Sequence, residues 1–345
     1  MAEAYRLEAG VQAARSAMKA LWWTATGLSA RAAIRPERGE GAPAFDSATP
    51  PPRATALRRA WLDAFVKDVR DVQAGLYPPT EPMFADLRRA LQAADDLLKD
   101  VREVDARRRR GGNVEARTEA PSDAYPAYYR QNFHYQSGGW FTEDSARRYE
   151  PQVELLFAGA AGPMRRRALS LLARALQGRD QRGLSVVDLA CGSGAFLRDL
   201  KATFPRATVV GVDLSPTYVA EARRVSGAPT AQADVERLPF ADASLDAATN
   251  VYLFHELPPK VRPLAAREFA RVLKPGGLLA FADSVQAADE PDLARLLEAF
   301  PAFFHEPYYR SYQKTDLEAL FAEAGFEPID GDQAFLTKAR LFRKR

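Results

Sequence analysis

Val186-Val-Asp-Leu-Ala-Cys-Gly-Ser-Gly-Ala-Phe-Leu197 is the stretch that decides the fold. A short apolar run ends in an acid, bends through two glycines and opens into a helical pattern. Gly192 and Gly194 can take backbone angles closed to other residues, and they let a ligand approach the main chain closely. A strand that runs through such a bend into a helix is the setting of a nucleotide-binding turn. The same grammar continues on both sides. Met164–Leu176 reads as an amphipathic helix. Leu184–Leu189, Thr208–Val212, Ala247–Leu253 and Leu278–Ser284 read as strands, with helices at Gly194–Phe204, Pro216–Ser226 and Pro259–Leu273. The alternation predicts an α/β fold, a Rossmann-like doubly wound and mostly parallel sheet. Leu317–Ala324 reads as a last helix, and Phe326–Ile329 with Ala334–Phe342 as a closing antiparallel pair.

In such sheets the ligand lies beyond the carboxyl ends of the strands, so the residues at those ends carry the chemistry. Asp188 ends the first strand. An acid there disfavours a pyrophosphate and suits a ligand carrying an ammonium and a sulfonium, as S-adenosylmethionine does. A dinucleotide turn also requires a small residue where this chain has Leu197. Asp213 ends Val209-Val-Gly-Val-Asp and can accept from two ribose hydroxyls, an arrangement NAD would equally accept. Asp234, in Ala231-Gln-Ala-Asp-Val-Glu-Arg-Leu-Pro-Phe, can receive an adenine amino group while the Val235 amide meets a ring nitrogen.

Four segments in order then carry a resemblance. Val187-Asp-Leu-Ala-Cys-Gly-Ser-Gly, Gly211-Val-Asp-Leu-Ser, Ala233-Asp-Val-Glu-Arg-Leu-Pro-Phe and Arg271-Val-Leu-Lys-Pro-Gly-Gly-Leu-Leu lie between Leu184 and Ser284. Together they resemble the class I S-adenosylmethionine-dependent methyltransferases of the ubiquinone/menaquinone-biosynthesis (methyltransferase type 11) group. The resemblance implies S-adenosylmethionine as cofactor. It implies that Asp188, Ala190, Gly192 and Gly194 hold the methionine end. Asp213 and Leu214 would meet the ribose, Asp234 and Val235 the adenine, and Asn250 and Tyr252 the cofactor's other face. Tyr149 resembles a tyrosine that many members place over the methionine carboxylate. Cys191, inside the turn, reads as a small residue that fits rather than a nucleophile, since no histidine lies near it in sequence.

The acceptor must come from outside the common sheet. Three segments are candidates: the aromatic run Tyr125–Phe141, Phe254-His-Glu-Leu-Pro, and Phe303-Phe-His-Glu-Pro-Tyr-Tyr-Arg-Ser-Tyr. The chain's three histidines, His134, His255 and His305, fall one in each. They lack local ligand spacing, so no metal is expected. His255, oriented by Glu256, and His134 are the candidates for acid–base or positioning work. Tyr129, Tyr135, Trp140, Phe141, His305 and Tyr309 are candidate pocket walls. Rings desolvate an acceptor and attract a sulfonium, which favours a small aromatic or heteroaromatic acceptor, natural-product or quinone-like. Plain core packing is the competing reading for each. A macromolecular substrate and a non-catalytic cofactor-binding module are the rival functions.

Upstream, residues 2–28 read as an alanine-rich amphipathic helix, 35–53 as a Pro/Gly/Ser/Ala loop, 55–75 as a second helix and 81–108 as a third. The run Arg107-Arg-Arg-Arg-Gly-Gly reads as a solvated helix end. Three parts are therefore expected: a helical extension or cap over 1–120, an aromatic connecting segment over 121–162, and a cofactor-binding domain over 163–345. With 48 basic and 45 acidic residues, charge does not argue for nucleic acid. No apolar run is long enough to span a bilayer, so no integral membrane association is expected. Glu3 and Glu8 stand where a secretory leader would be basic, and a single cysteine suits a reducing compartment; a cytoplasmic protein is expected. A homodimer stays open.

Overall fold

The computed structural model describes residues 2–33, 45–80, 124–136 and 138–345, with a few isolated positions between 91 and 122. The helix expected over 81–108, the Arg107 run and most of the 35–53 loop lie outside the described residues.

Helices α1 (Ala2–Ala33), α2 (Ala54–Gln73), α3 (Glu143–Leu156) and α4 (Ala161–Ala175) precede the sheet. The sheet then alternates with helices: β1 (Ser185–Leu189), α5 (Ala195–Thr203), β2 (Thr208–Asp213), α6 (Pro216–Ser226), β3 (Thr230–Gln232), β4 (Leu245–Val251), α7 (Arg262–Val272) and β5 (Leu273–Ser284). α8 (Ala294–Phe303), the one-turn α9 (Tyr309–Tyr312), α10 (Leu317–Glu323), β6 (Phe326–Ala334) and β7 (Thr337–Lys344) close the chain. The seven strands lie in the order β3-β2-β1-β4-β5-β7-β6. β1 to β5 pair in parallel, while β7 runs antiparallel to both β5 and β6. This is the doubly wound, mostly parallel sheet that the alternation predicts, with helices ahead of it.

Successive residues of a strand face opposite sides, and β1 shows the consequence. Val186 joins Leu169, Leu172, Leu197, Leu200 and Phe204 on one face. Val187 and Leu189 join Phe254, Phe269, Phe281 and Phe321 on the other. Both faces of β1 are covered, so Val186, Val187 and Leu189 are apolar. Winding goes from β1 outward through β2 to β3, then returns across β1 to β4 and β5. The carboxyl ends of β1 and β4 therefore diverge from neighbouring connections, and a crevice opens there. Leu189 sits opposite Val212 and Asn250, which brings three strand ends into line.

Two segments that periodicity did not assign are helical. Thr142 caps α3 by accepting from the Ser145 N–H, and α8 carries Leu297 inward. The expected strand through Leu253 stops at Val251, because Tyr252 turns out of it with φ +58°.

The leading helices dock through buried charge. Asp68 of α2 is fully buried; Arg166 of α4 donates to its two oxygens at 2.6 and 2.8 Å. Gln12 of α1 donates to it at 2.6 Å and the Tyr77 hydroxyl at 2.9 Å. Removing one partner of such a pair strands the other charge away from water. Asp68→Ala should therefore lower unfolding stability by about 3–5 kcal/mol, read from urea denaturation, with Asp68→Asn intermediate.

Candidate functional site

A cleft with an empty volume of about 1050 Å³, open mouth included, lies over the carboxyl ends of β1, β2 and β4. Asp188, Ala190, Gly192, Asp213, Leu214, Asp234, Val235 and Tyr252 line it from the sheet side. Tyr128, Tyr129, Phe133, Trp140 and Tyr149 line it from the segment before α4.

Gly192 has φ +54° and open space where a side chain would begin, so the main chain itself faces the cleft. The Asp213 carboxylate holds that bend: it accepts the Gly192 N–H at 2.9 Å and the Ser215 N–H at 2.9 Å. Burial pushes Asp213 above the usual carboxylate range, and those backbone donors oppose the shift. Asp188 accepts from the Thr249 hydroxyl at 2.7 Å. Its burial raises it to about 7, against the pull of that hydroxyl. Arg165 also lines the cleft, anchored on Glu150 and 3.6 Å from Glu154. A cation and an anion thus face the same end of one cleft. Trp140, Tyr149 and Tyr218 meet edge to face there, with ring centroids 5.4 to 5.9 Å apart.

Two residues expected to touch the cofactor stand behind the cleft. A Cβ on Gly194 would lie 2.5 Å from the Ala222 backbone, so this glycine, at φ +84°, lets α5 and α6 pack closely. Asn250 is fully buried and donates to the Leu189 carbonyl at 2.9 Å, tying β4 to β1.

A second, mainly apolar cavity of about 600 Å³ opens beside the first. Tyr149 and Tyr252 belong to both. Val153, Leu297, Phe300, Tyr309 and Leu336 form much of its wall, and His134 and His255 face it. The Asp283 carboxylate sits 2.6 Å from His255 Nδ1 and accepts the backbone N–H groups of Phe254 and His255. Glu256, expected to orient His255, lies 3.7 Å from its Nε2; Asp283 is the residue that orients it. Burial draws His255 down, but Asp283 outweighs it and carries the imidazole up to about 9. His134 is carried up to about 10: burial again opposes, and Glu306 and Glu256 prevail. Burial holds Glu306 above its usual range.

Three expected wall residues line neither cavity. Phe141 packs edge-on against Tyr125 and Tyr129, one layer out. His305 pairs through Nε2 with the Gln131 side chain at 3.0 Å, and Tyr135 lies against its ring at 5.8 Å. Tyr129, Trp140 and Tyr309 do face a cavity.

Arg165, Asp283, Tyr218 and Glu306 escaped the sequence reading. Arg165 is masked by its neighbours, because three successive arginines on an amphipathic helix look solvated, yet all three are buried. Asp283 had a signal: it is an acid at the end of a predicted strand, like Asp188 and Asp213.

Residues 186–277 match the methyltransferase-domain family. An uncharacterised methyltransferase of Synechocystis sp. is 33% identical over 151 residues, 43% of this chain and 68% of that protein. A demethylmenaquinone methyltransferase of Thermus thermophilus is 38% identical over 139 residues, 39% of this chain and 60% of that one. A fatty-acid O-methyltransferase of Mycolicibacterium smegmatis is 35% identical over 125 residues, 35% and 45% of the two chains. The chain spans about half the length of several of the curated relatives it matches. It belongs to the class I S-adenosylmethionine-dependent methyltransferases.

A buried acid that titrates near neutrality makes the grip on a cationic ligand depend on pH. S-Adenosylhomocysteine carries an ammonium, and an Asp188 that held it would do so as an anion, a state its burial confines to pH above about 7. Its affinity should fall about tenfold between pH 8 and pH 6 as Asp188 takes up a proton. Asp188→Asn should bind weakly with a flat profile; calorimetric titration across that range reads both.

Proposed function

We propose that this protein transfers a methyl group from S-adenosylmethionine to an acidic hydroxyl of a small, planar, largely apolar acceptor of aromatic or quinone-like type. The observation that carries the reading is the apolar cavity that shares the walls Tyr149 and Tyr252 with the cofactor cleft and has the His255–Asp283 pair at its polar end.

The residues of the cleft fit the cofactor by charge. Asp188 would meet the ammonium of the methionine end and Arg165 its carboxylate. Gly192 leaves room for close approach, and Asp213 keeps acceptor capacity for the ribose hydroxyls beyond the two N–H groups it holds. Asp234 and Val235 would meet the adenine, and the rings of Tyr149, Trp140 and Tyr218 offer π faces to a sulfonium. When bound, the cofactor supplies an activated methyl on a good leaving group. The chain's task is then alignment and exclusion of water, and alignment alone supplies on the order of 7–11 kcal/mol. His255 has Nδ1 committed to Asp283, which leaves Nε2 to hold the acceptor's oxygen. The oxygen's electron pair forms the bond to the methyl carbon while the carbon–sulfur pair returns to sulfur. A phenolic or enolic hydroxyl suits this pair: it loses its proton to solvent before transfer, and the protonated His255 donates its Nε2–H to the resulting oxyanion.

The relatives that methylate menaquinone precursors and fatty acids support a small acceptor. The aromatic segment 121–162 supplies one wall of the cleft, which supports reading it as a pocket-forming connection to a catalytic domain over 163–345. No described helix is long and apolar enough to cross a membrane.

Turnover against a panel of phenolic and quinol acceptors tests the proposal. His255→Ala should lose about 10²–10⁴ in kcat with unchanged S-adenosylhomocysteine affinity. Phe300→Trp should narrow the apolar cavity and raise the acceptor KM alone. Full turnover in both variants would remove the acceptor from this cavity.

A further inference from the structure

We propose that His134, Glu256 and Glu306 form a site for a divalent transition-metal ion at the junction of the cofactor cleft and the apolar cavity. The three come from separate parts of the chain: the turn Phe133–Tyr135, the turn Phe254–Glu256 after β4, and the segment after α8. One donor atom from each lies within 4.8 Å of the others, and His134 Nε2 is 3.3 Å from a Glu256 oxygen. Atoms so spaced can share one ion at about 2.0–2.2 Å each.

Spacing alone would not make a site; the state of Glu306 does. Its side chain is completely shielded from solvent; one oxygen is ion-paired with His134 Nε2, and the other has no partner among the described residues. One Glu256 oxygen is likewise without a partner. The imidazole nitrogen is ion-paired with both carboxylates. A protonated imidazole brings one positive charge, so it cannot neutralise two carboxylates at once. A dication can, since it needs no proton and takes its ligands from several directions. The backbone supports the aim: His134 sits at φ +54° with its N–H donated to the His305 carbonyl at 3.2 Å.

The donor set narrows the ion. One imidazole nitrogen with two carboxylates suits zinc, manganese or iron(II), whereas magnesium and calcium favour oxygen throughout. Glu256 lines the cofactor cleft and His134 the apolar cavity, so positions left open on the ion face the place where the two cavities meet. Resting on the function proposed above, such an ion would hold the acceptor's oxygen beside His255.

Metal content after chelator treatment and reloading with Mn²⁺ or Zn²⁺ tests the site directly. The full chain should retain about one ion per molecule after gel filtration, and bound Mn²⁺ should lose its aqueous paramagnetic-resonance signal. Glu306→Gln and His134→Gln should each lose at least 90% of that retention, ~10-fold, while their S-adenosylhomocysteine thermal shift shows that they are folded. A wild-type chain that retains neither metal, or folded variants that retain it fully, would overturn the site. Retention by wild type and its loss in the variants supports the site even if no phenolic acceptor turns over. Turnover by a metal-free wild type that retains no metal overturns the site and leaves the proposed function standing.

Discussion

The hold of one carboxylate on two backbone N–H groups organises this molecule. Asp213, at the end of β2, reaches across to Gly192 in the turn after β1 and forward to Ser215 at the head of α6. The turn after β1, the end of β2 and the start of the next helix are thereby one rigid unit. Gly192 can face the cleft with bare backbone because its conformation is fixed from outside. Burying that acid raises its proton affinity, and the backbone donors limit the rise. The cleft's charge thus depends on hydrogen bonds that also set its shape.

What was legible in the sequence follows from where the physics is local. β1, β2, β4 and β5 are short apolar runs covered on both faces, and their acids stand at the ends where the runs stop. Asp188, Asp213 and Asp234 could be read from that pattern because strand, bend and helix adjoin in sequence. Gly194 and Asn250 show its limit. Each sits inside a motif, yet one serves the contact of α5 with Ala222 and the other bridges β4 to β1. A motif marks residues that the turn needs and does not separate those touching a ligand from those behind it.

The second cavity was less legible for a related reason. Its polar end gathers His255, Asp283, His134, Glu256 and Glu306, which come from four stretches about 20 to 170 residues apart. No short-range spacing links them. The three histidines suggested convergence, and two of them do face the cavity, but His305 turns away to Gln131. Glu306, one residue on, is the side chain that points in. A shift of one residue in an irregular segment reverses which neighbour is buried, and hydrophobic periodicity carries no information where no regular element exists.

The three arginines of α4 connect the leading helices to the chemistry. Arg165 lines the cleft and rests on Glu150. Arg166 pairs with Asp68 of α2 and lies 2.9 Å from Asp199 of α5. Arg167 reaches Asp71 at 2.7 Å and Asp332 of β6 at 3.3 Å. Consecutive helical residues point about 100° apart, so one turn sends three charges to three different partners. Each is buried, and each needs its acid to remain so. Glu154, which faces Arg165, also takes Lys19 of α1. The position of the cleft's only described lining cation is therefore set partly by helices that contribute no residue to the cleft wall. That gives α1 and α2 a role in the site through charge, beside the apolar packing of Ala20 and Phe65 against Met164.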